Sequence, residues 1–405
     1  MLVFMGDVVF DRIIGDMIQS QGTQYPFEPM MPYIDDADLT FANLETPISQ
    51  QGTPEEGKYC TFRSDKDTVE CLEYAGIDSV SLANNHCLDY GYDALNDTLM
   101  YLDRANISYA GIFHDDPIEN CTVPRPVVLE ANGLRVGFLA YTEGVREWIA
   151  TNVSAGPMPL DTTLMKRDVE YTKDDVDVLI VSIHWRKWPQ YTSGPEPSDR
   201  NICRDLIDWG ADLIMGHGPH TVHEVEGYKD GVILYSLGNA AMNCGNESSN
   251  YSYIARVAMF GDRIDSLTLI PTVKETYRYI PEGTPVTRSR STGMNVSYQE
   301  VWSMYSNDIF NVTTEEDREK NEWFLFREDT PWYYKGLSVL VLLVSIAVIV
   351  YILYSVFKKK GRSLLDLEEE FYGPHHQEWQ PGPDPGGGEQ PAKDQKGPER
   401  PRDNG

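Results

Sequence analysis

The sequence predicts a layered α/β domain with mixed sheets, followed by one C-terminal transmembrane helix. In the first half, short apolar runs alternate with stretches of helical periodicity, the pattern of parallel strands joined by helices. In the second half, apolar runs meet around Asn132-Gly133, Asp230-Gly231 and Gly261-Asp262 and read as hairpins, which brings antiparallel strands into the same architecture. Near the end, residues 336–357 form a run of 22 positions without a charge.

The elements follow in order. Residues 2–5 read as a strand that ends in Gly6-Asp7, and residues 37–42 as a second that ends in Asn43-Leu44-Glu45. Between them Pro26, Pro29 and Pro32 mark a segment that is mostly loop. Residues 67–75 read as a short helix closed by Gly76, then residues 77–82 as a strand leading into Ser81-Leu82-Ala83-Asn84-Asn85-His86-Cys87-Leu88-Asp89-Tyr90-Gly91. That polar turn precedes a helix over residues 92–104 and a strand over 107–110. A hairpin over 127–130 and 134–141 comes next, then a helix over 162–172 and a strand over 176–183 that delivers His184-Trp185. A helix over 196–209, closed by Gly210, leads to a strand over 211–215 and the run Gly216-His217-Gly218-Pro219-His220. Residues 222–226 and 232–237 pair as a hairpin ending in Ser236-Leu237-Gly238-Asn239, and residues 251–270 supply two more strands. From Pro271 the sequence turns polar, so the domain is expected to occupy residues 1–272, with a juxtamembrane region over 273–335.

As a helix, the uncharged run would span about 33 Å, the thickness of a hydrocarbon core. Trp332, Tyr333 and Tyr334 precede it, and Lys358, Lys359, Lys360 and Arg362 follow it. Positive charge on the inner side then places the domain outside the cell membrane in a single-pass arrangement, with a disordered cytoplasmic tail over 358–405. Eight Asn-x-Ser/Thr sequons agree with an extracytoplasmic glycoprotein. No export signal is visible ahead of Asp7, so a signal or anchor is expected upstream of Met1. The 34 basic and 63 acidic residues give a formal charge of −29, which excludes nucleic acid as a partner and favours divalent cations. Six cysteines without a CxxC spacing argue against a structural zinc site and allow up to three disulfides.

Asp7, Glu45, Asn85, His86, His184, His217 and His220 all fall just past expected strands. In α/β sheets ligands bind at the carboxyl ends of strands. Carboxylate and amide oxygens mixed with neutral imidazoles suit divalent Mn, Fe or Zn, one ion or two. Taken singly, each residue reads equally as a helix cap or a satisfied core group; their joint placement is what points to a metal site. His223 is a further, weaker candidate inside the next strand. Arg186 and Lys187, beside His184, and Asn239 are candidates for holding an anionic substrate.

The motifs Gly6-Asp7, Asn43-Leu44-Glu45, Ser81 to Gly91, His184-Trp185, Gly216 to His220 and Tyr235 to Asn239 resemble those of the poly-gamma-glutamate capsule biosynthesis (CapA-type) proteins, among the calcineurin-like metallophosphoesterases. The resemblance covers roughly residues 3–270 and implies a metallophosphoesterase-like sandwich. It implies Asp7 and Glu45 as acidic ligands, Asn85 as the amide ligand, and His184, His217 and His220 as imidazole ligands. His86 would stand beside the metal as the catalytic acid or electrostatic stabiliser. Two departures stand out: Val9 occupies the place of a superfamily histidine, and His217 and His220 are separated by two residues where the superfamily has one. One ion would keep Glu45, Asn85, His184 and His217, and the other only Asp7, Glu45 and His220, so the first is expected to be held more tightly.

The expected function is a membrane-anchored, metal-dependent hydrolase in capsule or poly-gamma-glutamate biosynthesis, acting on an anionic surface polymer or a phosphoester. The alternative from another class is a non-catalytic polymer-binding or export partner of a membrane synthase complex. Val9 favours the second; His86, an imidazole with no ligand role, favours the first.

Overall fold

In the computed structural model, residues 1–113, 126–144, 156–185, 194–244 and 247–305 are described; all belong to one compact unit, Met1–Thr314. Alternation along the first strand, Leu2–Val8, sets the layering. Leu2 and Phe4 enter one core with Phe41, Phe138, Ile180 and Leu213, whereas Val3 and Met5 enter another with Ile14, Leu72, Leu95 and Leu102. Side chains of a strand alternate between faces, so a strand apolar at every position must be covered on both sides.

The first sheet runs Arg278–Pro281, Arg263–Glu275, Tyr251–Phe260, Leu2–Val8, Leu39–Leu44, Ser79–Ser81, Ser108–Ala110, with Asn239–Ala241 paired to the end of Leu2–Val8. The second runs Val225–Tyr228, Gly231–Leu234, Leu213–His217, Val178–His184, Leu134–Thr142, Val127–Ala131. Each mixes parallel central pairs with antiparallel pairs at an edge. Their inner faces meet in the first core, where the Phe41 and Phe138 rings lie 5.1 Å apart. Helices Thr162–Thr172 and Pro197–Trp209 cover the outer face of the second sheet through Met165, Val169, Cys203 and Leu206. The expected layered α/β sandwich with mixed sheets is therefore present.

Local chemistry explains the helix ends. Asp161 accepts from the Thr163 and Leu164 amides at 2.9 Å, and Glu196 with Asp199 forms a reciprocal capping box ahead of Pro197. Two stretches depart from the sequence expectation. Helix Ile13–Gln21 occupies part of the stretch read as loop, burying Ile14 and Ile18; it is short and interrupted by Gly15, so its periodicity is weak. Past residue 272, strands Arg278–Pro281 and Val286–Ser289 and helix Tyr298–Ser303 continue to pack on the first sheet, and Val301, Trp302 and Tyr305 join the inner core.

The transmembrane part of the expected fold needs correction. Among the described residues no helix is long and apolar enough to cross a membrane, and the span expected at 336–357 lies outside them. Twenty-two uncharged residues establish hydropathy, whereas a span needs a placed helix. The membrane anchor, the membrane as a partner and the single-pass, extracytoplasmic localisation are withdrawn with it. Cys60, Cys71, Cys87 and Cys244 are free thiols, and Cys121 lies outside the described residues.

Candidate metal centre

The carboxyl ends of the parallel strands from both sheets converge on one point. Asp7, completely buried, lies next to the end of the first strand, and its register pairs it with Asn43 on one side and Asn239 on the other. Gly6 makes this possible: a Cβ there would stand 2.0 Å from the Gly238 carbonyl oxygen. From the second sheet, His184 and His217 are opposed in the parallel pair. His220 follows through a turn in which Gly218 has φ +99° and His220 itself has φ 55°. A Cβ at Gly218 would lie 2.1 Å from the Trp185 carbonyl, so only glycine brings His220 back to the cluster.

Asp7 Oδ1 lies 2.9 Å from Asn43 Nδ2 and 3.0 Å from His217 Nδ1. Its Oδ2 lies 2.9 Å from His220 Nδ1 and accepts from the Gly218 amide at 3.3 Å. Burial works to raise the Asp7 carboxyl, but hydrogen bonds from His217 and His220 outweigh it and hold the group well below the usual carboxylate range. Glu45 is the opposite case. Both of its carboxylate oxygens are buried without a hydrogen-bond partner among the described residues, and burial pushes its pKa well above the ordinary value despite the attraction of His220. Glu45 Oε1 stands 3.4 Å from His184 Nε2 and 3.9 Å from both His86 Nε2 and His220 Nε2. Burial also drives His184 well below the usual imidazole value, while His220 is raised well above it because Cys244, Glu45 and Asp7 overcome its own desolvation.

The donor set fits a divalent cation. Asp7, Glu45 and His220 each present a ligand atom, all within 4.8 Å of one another and all buried. Among the described residues the Glu45 oxygens, His217 Nε2 and Asn85 Oδ1 are buried polar atoms with no hydrogen-bond partner, a cost that a coordinated ion would remove. A buried Asp/Glu/His cluster able to coordinate a divalent metal is therefore present. The triad grouped by distance is the one expected for the second ion.

His86 sits beside this cluster and is held from the other side. Its Nδ1 lies 2.6 Å from Asp89 Oδ2, its amide donates to Asn84 Oδ1 at 3.0 Å, and its ring packs on Phe62 with centroids 4.5 Å apart. Lys58 donates to Asp89 and to the Asn85 carbonyl, and its Nζ is 3.3 Å from His86 Nδ1. Burial lowers the His86 pKa, opposed by the hydrogen bond and charge of Asp89.

The family model of the bacterial capsule synthesis protein PGA_cap matches residues 1–244. The chain belongs to this family. The capsule biosynthesis protein CapA of Bacillus anthracis is 26% identical over 309 residues, 74% of this chain and 72% of that protein. The PGA biosynthesis protein CapA of Bacillus subtilis (strain 168) is 27% identical over 244 residues, 60% of this chain and 63% of that protein. A putative 5'-nucleotidase from Staphylococcus aureus superimposes with a TM-score of 0.41 at 13% identity, covering 78% of this chain and 56% of that one.

In this member of the capsule synthesis family, the site also draws on residues that sequence reasoning did not single out. Asn43 bridges Asp7 and His184, with Nδ2 at 2.9 and 3.3 Å, and accepts from Asn84 Nδ2 at 3.2 Å. Asn84 also donates to the Leu44 carbonyl at 2.8 Å, which ties the strand bearing Glu45 to the turn bearing His86. Asn43 and Asn84 stood inside quoted motifs, and Asp89 lies three residues after His86, the only local signal available; nothing local marked Lys58. Asn239 points its Oδ1 at His220 Nδ1, 3.1 Å away, and its Nδ2 donates to the Ser249 carbonyl. His223 is buried, and its amide donates to the Ser236 carbonyl. Val9 is buried with Phe62 and Met242, an apolar contact where the superfamily places a histidine. Arg186 and Lys187 lie outside the described residues.

Proposed function

We propose that this chain is a metal-dependent hydrolase of capsule-type polymer biosynthesis, with Asp7, Glu45, Asn85, His184, His217 and His220 as the ligand set and His86 as the general acid. The observation that carries the reading is Glu45: a buried carboxylate with two unpartnered oxygens, ringed by three imidazoles beside an Asp-supported fourth. Bound divalent metal would supply Lewis-acid polarisation of the scissile group and a more acidic water. The protein's own groups do the rest. Asp89 accepts from His86 Nδ1, which fixes the ring and leaves Nε2 facing Glu45 and the cluster. A proton on Nε2 is stabilised by Asp89 and is available to a leaving oxygen or nitrogen. The Phe62 ring packs on the His86 imidazole, and both members of the dyad are buried.

Similarity to proteins of capsule and PGA biosynthesis supports an anionic polymer as the substrate. A supported imidazole that is no ligand favours catalysis over polymer binding alone. The test is hydrolysis of bis(p-nitrophenyl) phosphate and of a γ-linked glutamate oligomer, with metal content measured on the same samples. We expect His86→Ala to retain metal and lose turnover at least about a hundredfold. Metal bound without any His86-dependent turnover on either probe would overturn the reading.

A further inference from the structure

We propose that Arg12 is the recognition residue that receives a carboxylate of the anionic polymer at the mouth of the metal centre. This rests on the anionic-polymer reading above and assigns the group that would enforce it. The Arg12 guanidinium is exposed and lies 5.1 Å from the centroid of the Phe62 ring, which also packs on the His86 imidazole. One aromatic ring therefore separates it from the proposed acid. Its Nη2 donates to Cys60 Sγ at 3.1 Å and to the Thr61 carbonyl at 3.4 Å, which aims the side chain, while Nη1 and Nε have no protein acceptor among the described residues.

Many of the other described arginines carry a carboxylate partner. Arg200, Arg204, Arg256, Arg278, Arg288 and Arg290 are each paired with Asp or Glu, as a chain with 63 acidic and 34 basic residues permits. Arg12, at the site, pairs with no carboxylate among the described residues, and a planar guanidinium is matched to bidentate carboxylate binding. The backbone gives an independent argument. Arg12 has φ 52° and ψ −127°, a left-handed conformation that glycine adopts freely and a residue with a Cβ resists. The chain carries a strained arginine where glycine would be relaxed, so the side chain is what the position serves. The open cleft of about 580 Å³ lined by Glu55, Glu56, Tyr90, Tyr92 and Asp93 carries carboxylates and would repel the same ligand.

The experiment is fluorescence anisotropy of the full chain with a labelled γ-linked glutamate oligomer and with the same oligomer amidated at its carboxylates. We expect wild type to prefer the anionic probe, and Arg12→Gly and Arg12→Gln to weaken it at least about tenfold with unchanged affinity for the amidated one. Arg12→Lys should fall between, and Arg263→Gln, which removes an equal charge far from the cluster in sequence, should match wild type. Arg12→Gly relieves the backbone strain, so its melting temperature should equal or exceed that of Arg12→Gln, and metal content should be unchanged. An Arg12→Gly or Arg12→Gln protein that binds the anionic probe as wild type does overturns the assignment and leaves the hydrolase reading standing. Wild type that does not distinguish the two probes overturns both the assignment and the anionic-polymer reading.

Discussion

Glu45 shows how one side chain decides between stability and function. A carboxylate buried without hydrogen bonds is destabilising unless an ion compensates it. Glu45→Gln should therefore stabilise the metal-free chain by about 1–3 kcal/mol while lowering bound metal at least about tenfold. Chemical denaturation in chelator and elemental analysis measure the two effects, and equal losses in both would contradict the role. Asp89→Asn should leave metal content unchanged and reduce turnover of bis(p-nitrophenyl) phosphate, because His86 loses the partner that supports its protonated form. At this scale the sequence exposed the residues that lie at strand ends. Asn43, Lys58 and Asp89 escaped because their roles are hydrogen bonds across 36, 31 and 3 positions, and only the first two needed the fold to bring them near.

At the scale of elements, the turn between strand Leu213–His217 and His220 is the most constrained. Gly218→Ala forces a Cβ against the Trp185 carbonyl at a positive φ, and should destabilise by several kcal/mol with loss of metal. A melting curve and metal analysis would show it. Asp212 links the two central strands of the second sheet: its Oδ2 accepts from the Leu179 amide at 2.8 Å, and its own amide donates back to the Leu179 carbonyl. Burial pushes its carboxyl from the usual carboxylate range up to about 6. The folded state thus holds this proton more tightly than the unfolded one. Stability from this group is greatest below about pH 4 and falls as pH rises to about 6, after which it is level. Asp212→Asn keeps the acceptor, so it should gain about 1–3 kcal/mol at pH 7 and flatten the stability profile between those values. Urea titrations at each pH test this. Strands with apolar runs were legible in the sequence, whereas helix Ile13–Gln21 and the elements after residue 272 were not, because their burial comes from the sheet they pack on.

At the scale of the molecule, the metal centre joins two sheets, so an ion bound there would act as a clamp between them. Chelation should lower the melting temperature by an amount that depends on metal concentration, and Mn, Fe or Zn should restore it. Glu45→Gln should abolish that dependence, and a melting temperature indifferent to chelator in wild type would count against the cluster. The layered α/β class, the family and the candidate residues Asp7, Glu45, Asn85, His86, His184, His217 and His220 were legible in the sequence, because strand periodicity and the residues that follow a strand are local properties. The membrane span read at residues 336–357 lies outside the described residues, among which no helix is long and apolar enough to cross a membrane. The fold alone sets which of those side chains meet, leaves the Glu45 oxygens without a hydrogen-bond partner among the described residues, and stands Asp89 and Lys58 behind His86. Contact between residues 7, 45 and 220 is set by sheet register and by turns such as the one at Gly218, and register is a relation between strands that no single stretch of sequence contains.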